Sequence, residues 1–513
     1  MSMTQPVRAS KTFLYLGAAF IFIVSLAIRL KPFFFADHFF SVPIDFDEGV
    51  YFAASLLIKK GLLPYRDFDF AHPPAIAWLF ALFNSVLSTA SVASSFAQAK
   101  VTMCVLGSLS ALMIWHIFTR FSALVSGIIA SLLYLSYPEA IVADRGIFLE
   151  PLVNFCALLA LLMVVQPLII ERENESEDWT TWHSWRWMAA GLIMALALSV
   201  KLTAAVWLPG FFFLAPKQSR FPALAYAVTG GVVGLLLFMV PWVLLDPHKF
   251  FDGVIDFQLT RLPDGDIYVA QRIASIFRDQ HLTINLLSGL AICGYRTIPK
   301  HRKPFFLAVV TTTALTLLLL LKAKAYWSSY NTQLAVPLSL LAGFVVYPLD
   351  LFIQRIPSFR WPIFVILSSL ILLDLRSGFK GGRARAPEQV VVAEKIQSLI
   401  PRDSCLFVFE PGLAIIADRF PPVCEAQQVL IDPYLVMLQD ARLSQKKVSS
   451  PSEAFGLESA QTRIRPQMLG ADYVVIDPRA RGQLNAASQA MLSGSFRLLG
   501  ETTTVQLLAR KVD

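Results

Sequence analysis

The sequence predicts an all-α polytopic membrane bundle followed by a small soluble α/β domain. Three observations carry this. Of 513 residues, 56% are hydrophobic and only 16% charged, where a soluble domain carries roughly 25% charged residues. The mean hydropathy is +0.58. The apolar residues are gathered in blocks such as 13–28, 152–170, 224–245 and 305–321, and this character ends after Asp374. A helix needs about 20 mostly apolar residues to cross a bilayer. In lipid the backbone must satisfy its own polar groups, so such blocks are helical.

Loop punctuation and length predict about eleven spans. The first covers 12–30, behind Arg8 and Lys11. It lacks a small-x-small cleavage site and is read as an uncleaved span. A polar and amphipathic stretch, 31–96, forms the first outer loop. Further spans fall near 97–119, 123–138, 151–170, 188–199, 203–215, 222–245, 281–295, 305–321, 331–348 and 361–374. The pair 188–199 and 203–215 could instead be one broken helix, which would reverse every later orientation.

Short-loop cations set the topology. With the N-terminus cytoplasmic, the inner loops hold Arg120, Arg172, Arg186, Lys217, Arg220, Arg296, Lys300, Arg302, Lys303, Arg355 and Arg360. The outer loops also carry cations, Arg145, Arg261, Arg272, Lys322 and Lys324 among them, beside acidic residues. The net charge of +8 is read as cationic loops against anionic lipid, not as nucleic-acid binding.

Residues 1–375 form the membrane domain, 376–386 a Gly/Arg/Ser-rich linker, and 387–513 a soluble non-cytoplasmic domain. There a helix over 388–400 opens with Pro387 at its first position, and 404–409, 472–476 and 502–508 are candidate strands. Residues 441–468 are loop or surface helix, and the acidic 171–178 segment is a solvated loop. Cys104, Cys156 and Cys293 lie in apolar runs. Cys405 and Cys424 could pair if the soluble domain faces an oxidising compartment.

The first outer loop is the chemically richest stretch. Asp45, Asp47 and Glu48 lie within four residues of one another, followed by Tyr51, Gly61, Pro64-Tyr65, Asp67 and His72-Pro73-Pro74. Residues 47–60 suit an amphipathic interfacial helix, with Asp47 and Tyr51 on one face and Gly61 ending it. A second surface helix follows over 75–87. These carboxylates could activate a hydroxyl or amine, hold a divalent cation at Asp47/Glu48, or merely cap the helix. Asp144, Arg145 and Glu150 form a second outer cluster, where a local Arg145 pair with either acid is the plain alternative. Lys201 lies inside an apolar run and must snorkel or meet an anion. Lys322 to Asn331 offers an aromatic interface belt or a phosphate site.

The ordered set resembles the first outer loop of polyprenyl-phosphate-dependent glycosyltransferases of the C superfamily. It is similar in particular to the branch of protein O-mannosyltransferases and aminoarabinose transferases of lipid A. The motif Asp47-Glu48-Gly49-x-Tyr51, then Gly61-x-x-Pro64-Tyr65-x-Asp67, then His72-Pro73-Pro74 carries the likeness. Leu149-Glu150-Pro151-Leu152, the Lys201 span pair and the Tyr330-to-Pro337 stretch extend it over roughly residues 10–375. The resemblance implies Asp47 as the acceptor-activating base, with Glu48 and Glu150 as further catalytic acids. It implies His72, Lys201, Arg261, Arg272, Lys324 and Tyr330 as ligands of the donor phosphate. His72 stands where the aminoarabinose transferases have Lys, so it supplies a cation only if protonated. Tyr51, Tyr65, Asp144 and Arg145 are further cavity candidates. The implied partners are a polyprenyl-phosphate-linked sugar, a lipid, glycan or protein acceptor, and membrane lipid. A polysaccharide polymerase or ligase, or a lipid-linked-sugar flippase, is the alternative. The acidic first loop disfavours the first, and the flippase finds support only in Lys201 and the 188–215 break.

Overall fold

A computed structural model describes residues 11–35, 39–86, 91–121, 124–170, 181–266, 268–278, 281–380, 386–420, 424, 429–444 and 446–511. The acidic 171–178 segment lies outside them. All eleven predicted spans are helical, and the chain is a polytopic membrane bundle. Among the described residues six helices are long and apolar enough to cross a bilayer singly. Leu124–Ser136 and Pro138–Asp144 are long and apolar enough only together, and are bent by 65° at the break between them. The residue before a proline is driven out of the α region, and Tyr137 is accordingly extended (φ −68°, ψ 114°). The other four positions hold shorter apolar helices, Leu149–Val165, Ser184–Val200, Leu202–Leu214 and Leu282–Cys293.

The break at Lys201 separates two crossings. Lys201 is extended (φ −154°, ψ 127°) and is followed by 3-10 helix Leu202–Trp207 and α-helix Leu208–Leu214. The flanking helices Thr181–Val200 and Arg220–Phe238 run parallel: Gly230 sits against Met188, and Gly234 against Leu192 and Ala195. Two parallel neighbours require the intervening chain to recross. The 3-10 stretch helps, since it rises about 2 Å per residue against 1.5 Å in an α-helix.

The soluble domain is built on a four-stranded sheet. Its strands are β3 (Leu406–Val408), β4 (Tyr473–Ile476), β5 (Phe496–Glu501) and β6 (Gln506–Arg510), in the order β3-β4-β6-β5. β1 (Asp264–Gly265) and β2 (Ala325–Tyr326) pair separately, tying two loops together. β3 and β4 are parallel, and β6 is antiparallel to both its neighbours. β5 was not predicted. The helix Ala386–Leu399 packs beside the sheet, and Cys405 and Cys424 form a disulfide. Part of the expected linker is helix instead, because Arg360–Lys380 continues beyond the apolar segment.

The soluble domain is clamped onto the first outer loop. Arg463 reaches Asp69 at 2.8 Å and Asp440 at 2.9 Å, and Asp418 accepts the Ala93 N–H. Gly412 lies against Gly49. The helix Phe46–Lys59 is therefore not a free interfacial helix. Nearly all its residues from Phe46 to Leu57 are buried, because Pro411–Ile416 covers the face expected to meet water.

Candidate active site

The site is built on the start of Phe46–Lys59. Asp45 is its N-cap and accepts the Asp47 N–H at 3.1 Å. The capping role thus falls to Asp45 and leaves the Asp47 carboxylate to face a cavity. Tyr51, one turn on, places its hydroxyl 3.4 Å from Asp47 Oδ2 and 3.2 Å from His72 Nε2. Gly61 ends the segment at φ +85°, a conformation that costs glycine little. Tyr65, itself at φ +69°, donates its hydroxyl to the His72 carbonyl at 2.6 Å. It fixes the histidine segment and does not line the cavity.

The opposite wall comes from distant chain segments. Glu150 opens Leu149–Ile170, and its Oε1 lies 2.5 Å from Lys201 Nζ. That ammonium sits 4.6 Å from the centroid of the Tyr330 ring. Arg261 follows the short helix Phe257–Thr260 and lies 3.9 Å from Asp264. Together with Asp47, Tyr51 and His72 these residues line a polar cavity of about 350 Å³. A second cavity of about 460 Å³ adjoins it, walled by Leu259, Leu319 and Leu320 at the end of a span. His72, Lys201, Arg261 and Tyr330 line both. Lys324 lines only the apolar one.

Electrostatics separate the roles. Burial, reinforced by Asp45 and Asp432, pushes Asp47 up to about 7, against the opposing pull of Arg261 and Arg479. Burial, then Lys201 and Arg261, pushes His72 down to about 3. The histidine is therefore held neutral by its surroundings. Burial alone would lower the Arg261 pKa, but Tyr330, Tyr434 and Asp47 outweigh it and hold the group above its ordinary value.

Besides Tyr65, four expected site residues lie elsewhere. Glu48 is turned into the protein, where it accepts N–H bonds from Ile44 at 2.5 Å and Ile147 at 2.9 Å and faces Lys100 at 3.5 Å. Consecutive helix residues point about 100° apart, so Asp47 and Glu48 do not converge on one cation position. Asp144 is held by Arg29 at 2.6 and 2.8 Å. Arg145 donates to the carbonyls of Ile28 and Arg29. This second cluster pins the first span instead of forming the local pair expected for Arg145. Arg272 donates to the carbonyls of Leu320, Leu321 and Ala323 and so caps the end of Lys303–Lys322.

No protein-family profile and no curated protein matches the chain. Solved structures do. ArnT from Cupriavidus metallidurans bound to undecaprenyl phosphate superposes with a TM-score of 0.61 at 13% identity, over 98% of both chains. The chain therefore shares the fold of ArnT. Archaeoglobus fulgidus oligosaccharyltransferase tethered with an acceptor peptide gives 0.58 at 12% identity, over 98% of this chain and 74% of that one. AglB from the same organism, in complex with an inhibitory peptide and a dolichol-phosphate, gives 0.57 at 12% identity with the same coverage.

On this shared fold the soluble domain supplies part of the cavity wall, which sequence reasoning missed. Asp432, Tyr434 and Arg479 all line it. Arg479 lies 3.8 Å from the Phe46 ring centroid, beside the Asp47 turn. Tyr434 donates to Asp264 Oδ2 at 2.5 Å. The local signals in the sequence were Asp432-Pro433 and Asp477-Pro478, each a helix start. They locate an N-cap but do not say what it faces.

Proposed function

We propose that the chain is an inverting glycosyltransferase that moves a sugar from a polyprenyl-phosphate donor to a hydroxyl or amine acceptor on the non-cytoplasmic face of the membrane. One observation carries this reading. A carboxylate with a pKa near neutrality, Asp47, faces Lys201 and Arg261 across one cavity, and that cavity continues into an apolar one at the outer ends of the spans. The undecaprenyl phosphate named with the ArnT structure and the dolichol-phosphate named with AglB support a lipid-phosphate ligand.

The lipid chain would occupy the apolar cavity and the phosphate would lie between Lys201, Arg261 and Tyr330. Asp47 takes the proton from the acceptor as its oxygen or nitrogen bonds to the anomeric carbon. The bond from that carbon to the phosphate oxygen breaks on the opposite face, so configuration inverts. The leaving lipid phosphate gains one negative charge, and the two cations are placed where that charge develops. His72, being neutral, orients Tyr51 and through it Asp47.

The test is transfer from a synthetic polyprenyl-phosphate sugar by the purified chain and its Asp47→Asn variant in liposomes. General-base catalysis contributes typically 10²–10⁴-fold, and a loss of that order in kcat is expected with donor binding retained. Undiminished turnover by Asp47→Asn would remove the base and this reading with it.

A further inference from the structure

A third cavity, of about 300 Å³, lies on the far side of Arg261, between the 257–262 loop and the soluble domain. We propose that it is a site for an anionic phospholipid headgroup of the surrounding bilayer, gripped by Lys446 and Lys447. The inference stands on the fold and is independent of the transfer reaction.

Charge is the first argument. Arg261, Arg442, Lys446 and Lys447 line this cleft, and among the described residues no carboxylate does. Arg442 is already engaged by Asp256 and by Thr260 Oγ1. Among the described residues no ion pair engages Lys446 or Lys447. Both are exposed at the rim.

Position is the second. Leu259 shares the apolar cavity with Leu319 and Leu320, close to the end of the span Lys303–Lys322. Thr260, Arg261 and Leu262, which follow it directly, form the floor of the cleft. The cleft therefore opens at the level where the bundle leaves the hydrocarbon.

Apolar exposure is the third. Leu443, between Arg442 and the two lysines in sequence, is 79% exposed, and Leu259, next in sequence to Thr260 of the lining, is 68% exposed. Leu438 and Val448 line the interior. An apolar residue flanked by cations at a membrane boundary suits a lipid, whose acyl chains cover the leucines while its phosphate meets the lysines. A soluble anion would leave both leucines in water.

Native mass spectrometry of the delipidated full-length chain, titrated with phosphatidylglycerol or with phosphatidylcholine of the same acyl chains, tests this. Each lysine at an anionic surface strengthens lipid binding about fivefold, so K446Q/K447Q should weaken the tightest phosphatidylglycerol binding step roughly thirtyfold. Phosphatidylcholine binding should not change, and K446R/K447R should retain the phosphatidylglycerol step. Leu443→Asn, with both lysines in place, should weaken phosphatidylglycerol while leaving any response to glycerol phosphate as it was. Equal phosphatidylglycerol affinity in K446Q/K447Q and the parent overturns the proposal. So does competition by soluble glycerol phosphate as strong as by the lipid. Displacement by farnesyl phosphate would also overturn it, by returning the cleft to the polyprenyl-phosphate site.

Discussion

Lys201 and Glu150 form a 2.5 Å ion pair across the cavity wall, with side chains only 14% and 7% exposed. They are 51 residues apart in sequence and stand at the end of one span and the start of another. The pair neutralises a cation that the proposed donor phosphate would use. A phosphate entering between Lys201 and Arg261 has to share the ammonium with Glu150.

Removing one member of such a pair leaves an uncompensated charge, which costs about 3–5 kcal/mol when burial is complete. Here the cavity is open to water, so Lys201→Ala is expected to lower stability by about 2 kcal/mol. The double variant Glu150→Gln/Lys201→Met should recover most of that while binding donor no better than Lys201→Ala. Thermal unfolding in detergent and a donor-binding titration separate the two effects. A double variant as unstable as Lys201→Ala would show that the pair does not carry the loss.

The pH profile follows from Asp47 and has a definite sign. With its pKa pushed up to about 7, kcat/KM should rise through that pH as the base ionises. Burial raises Asp47 above its unfolded value near 3.8, so its contribution to stability is full below that value and is lost as pH rises through about 7. Asp47→Asn, though slowed about 10²–10⁴-fold, should therefore be no less stable than the parent at pH 8. Tyr51→Phe removes a hydroxyl that supports the carboxylate and should move the activity limb to higher pH. His72, pushed down to about 3, should add no limb near 6.5. Activity that falls on passing from pH 6 to pH 8 would contradict the assignment.

What was legible in the sequence depended on the range of each interaction. Asp47, Tyr51 and Gly61 were readable because helix spacing and a C-terminal glycine are local rules. The apolar helices at the eleven expected positions were readable because lipid imposes length and composition. Asp144 was misread because its partner, Arg29, lies 115 residues away. Glu48 was misread because the Ile147 N–H that fixes it comes from another loop. Arg479 and Tyr434 reach the cavity only through docking of the soluble domain, which no local pattern encodes. The resemblance weighed Arg272 and Arg261 alike, and only the carbonyls around Arg272 separate them.

The disulfide between Cys405 and Cys424 closes a loop between residues 19 apart. A loop of that size is worth about 3 kcal/mol in the chain-entropy account. The Cys405→Ser/Cys424→Ser variant should lower the unfolding transition of the soluble domain, with little change in the membrane helices. Because Asp432 and Tyr434 follow this loop closely and line the cavity, turnover should fall with it. Limited proteolysis of the soluble domain with and without reductant provides the check. Equal proteolysis rates would deny the bridge a stabilising role.

Gly49 decides whether the soluble domain can deliver Arg479 to the Asp47 turn. A Cβ there would lie 2.6 Å from the Gly412 nitrogen and 3.0 Å from its Cα. Both contacts are backbone and cannot swing aside. Replacing a helical glycine by alanine normally gains about 1 kcal/mol of propensity, whereas forcing extra atoms into a packed contact costs about 1–3 kcal/mol. The clash should win, so Gly49→Val is expected to lift the domain and lower kcat/KM by one to two orders of magnitude. Arg479→Ala should produce a loss of the same order, and combining the two should add little, because both withdraw the same group. Gly482→Ala is the control, since a Cβ there meets nothing within 4 Å, and it should leave kcat/KM unchanged. Full additivity of Gly49→Val and Arg479→Ala would show that Gly49 acts on the site by some route other than domain docking.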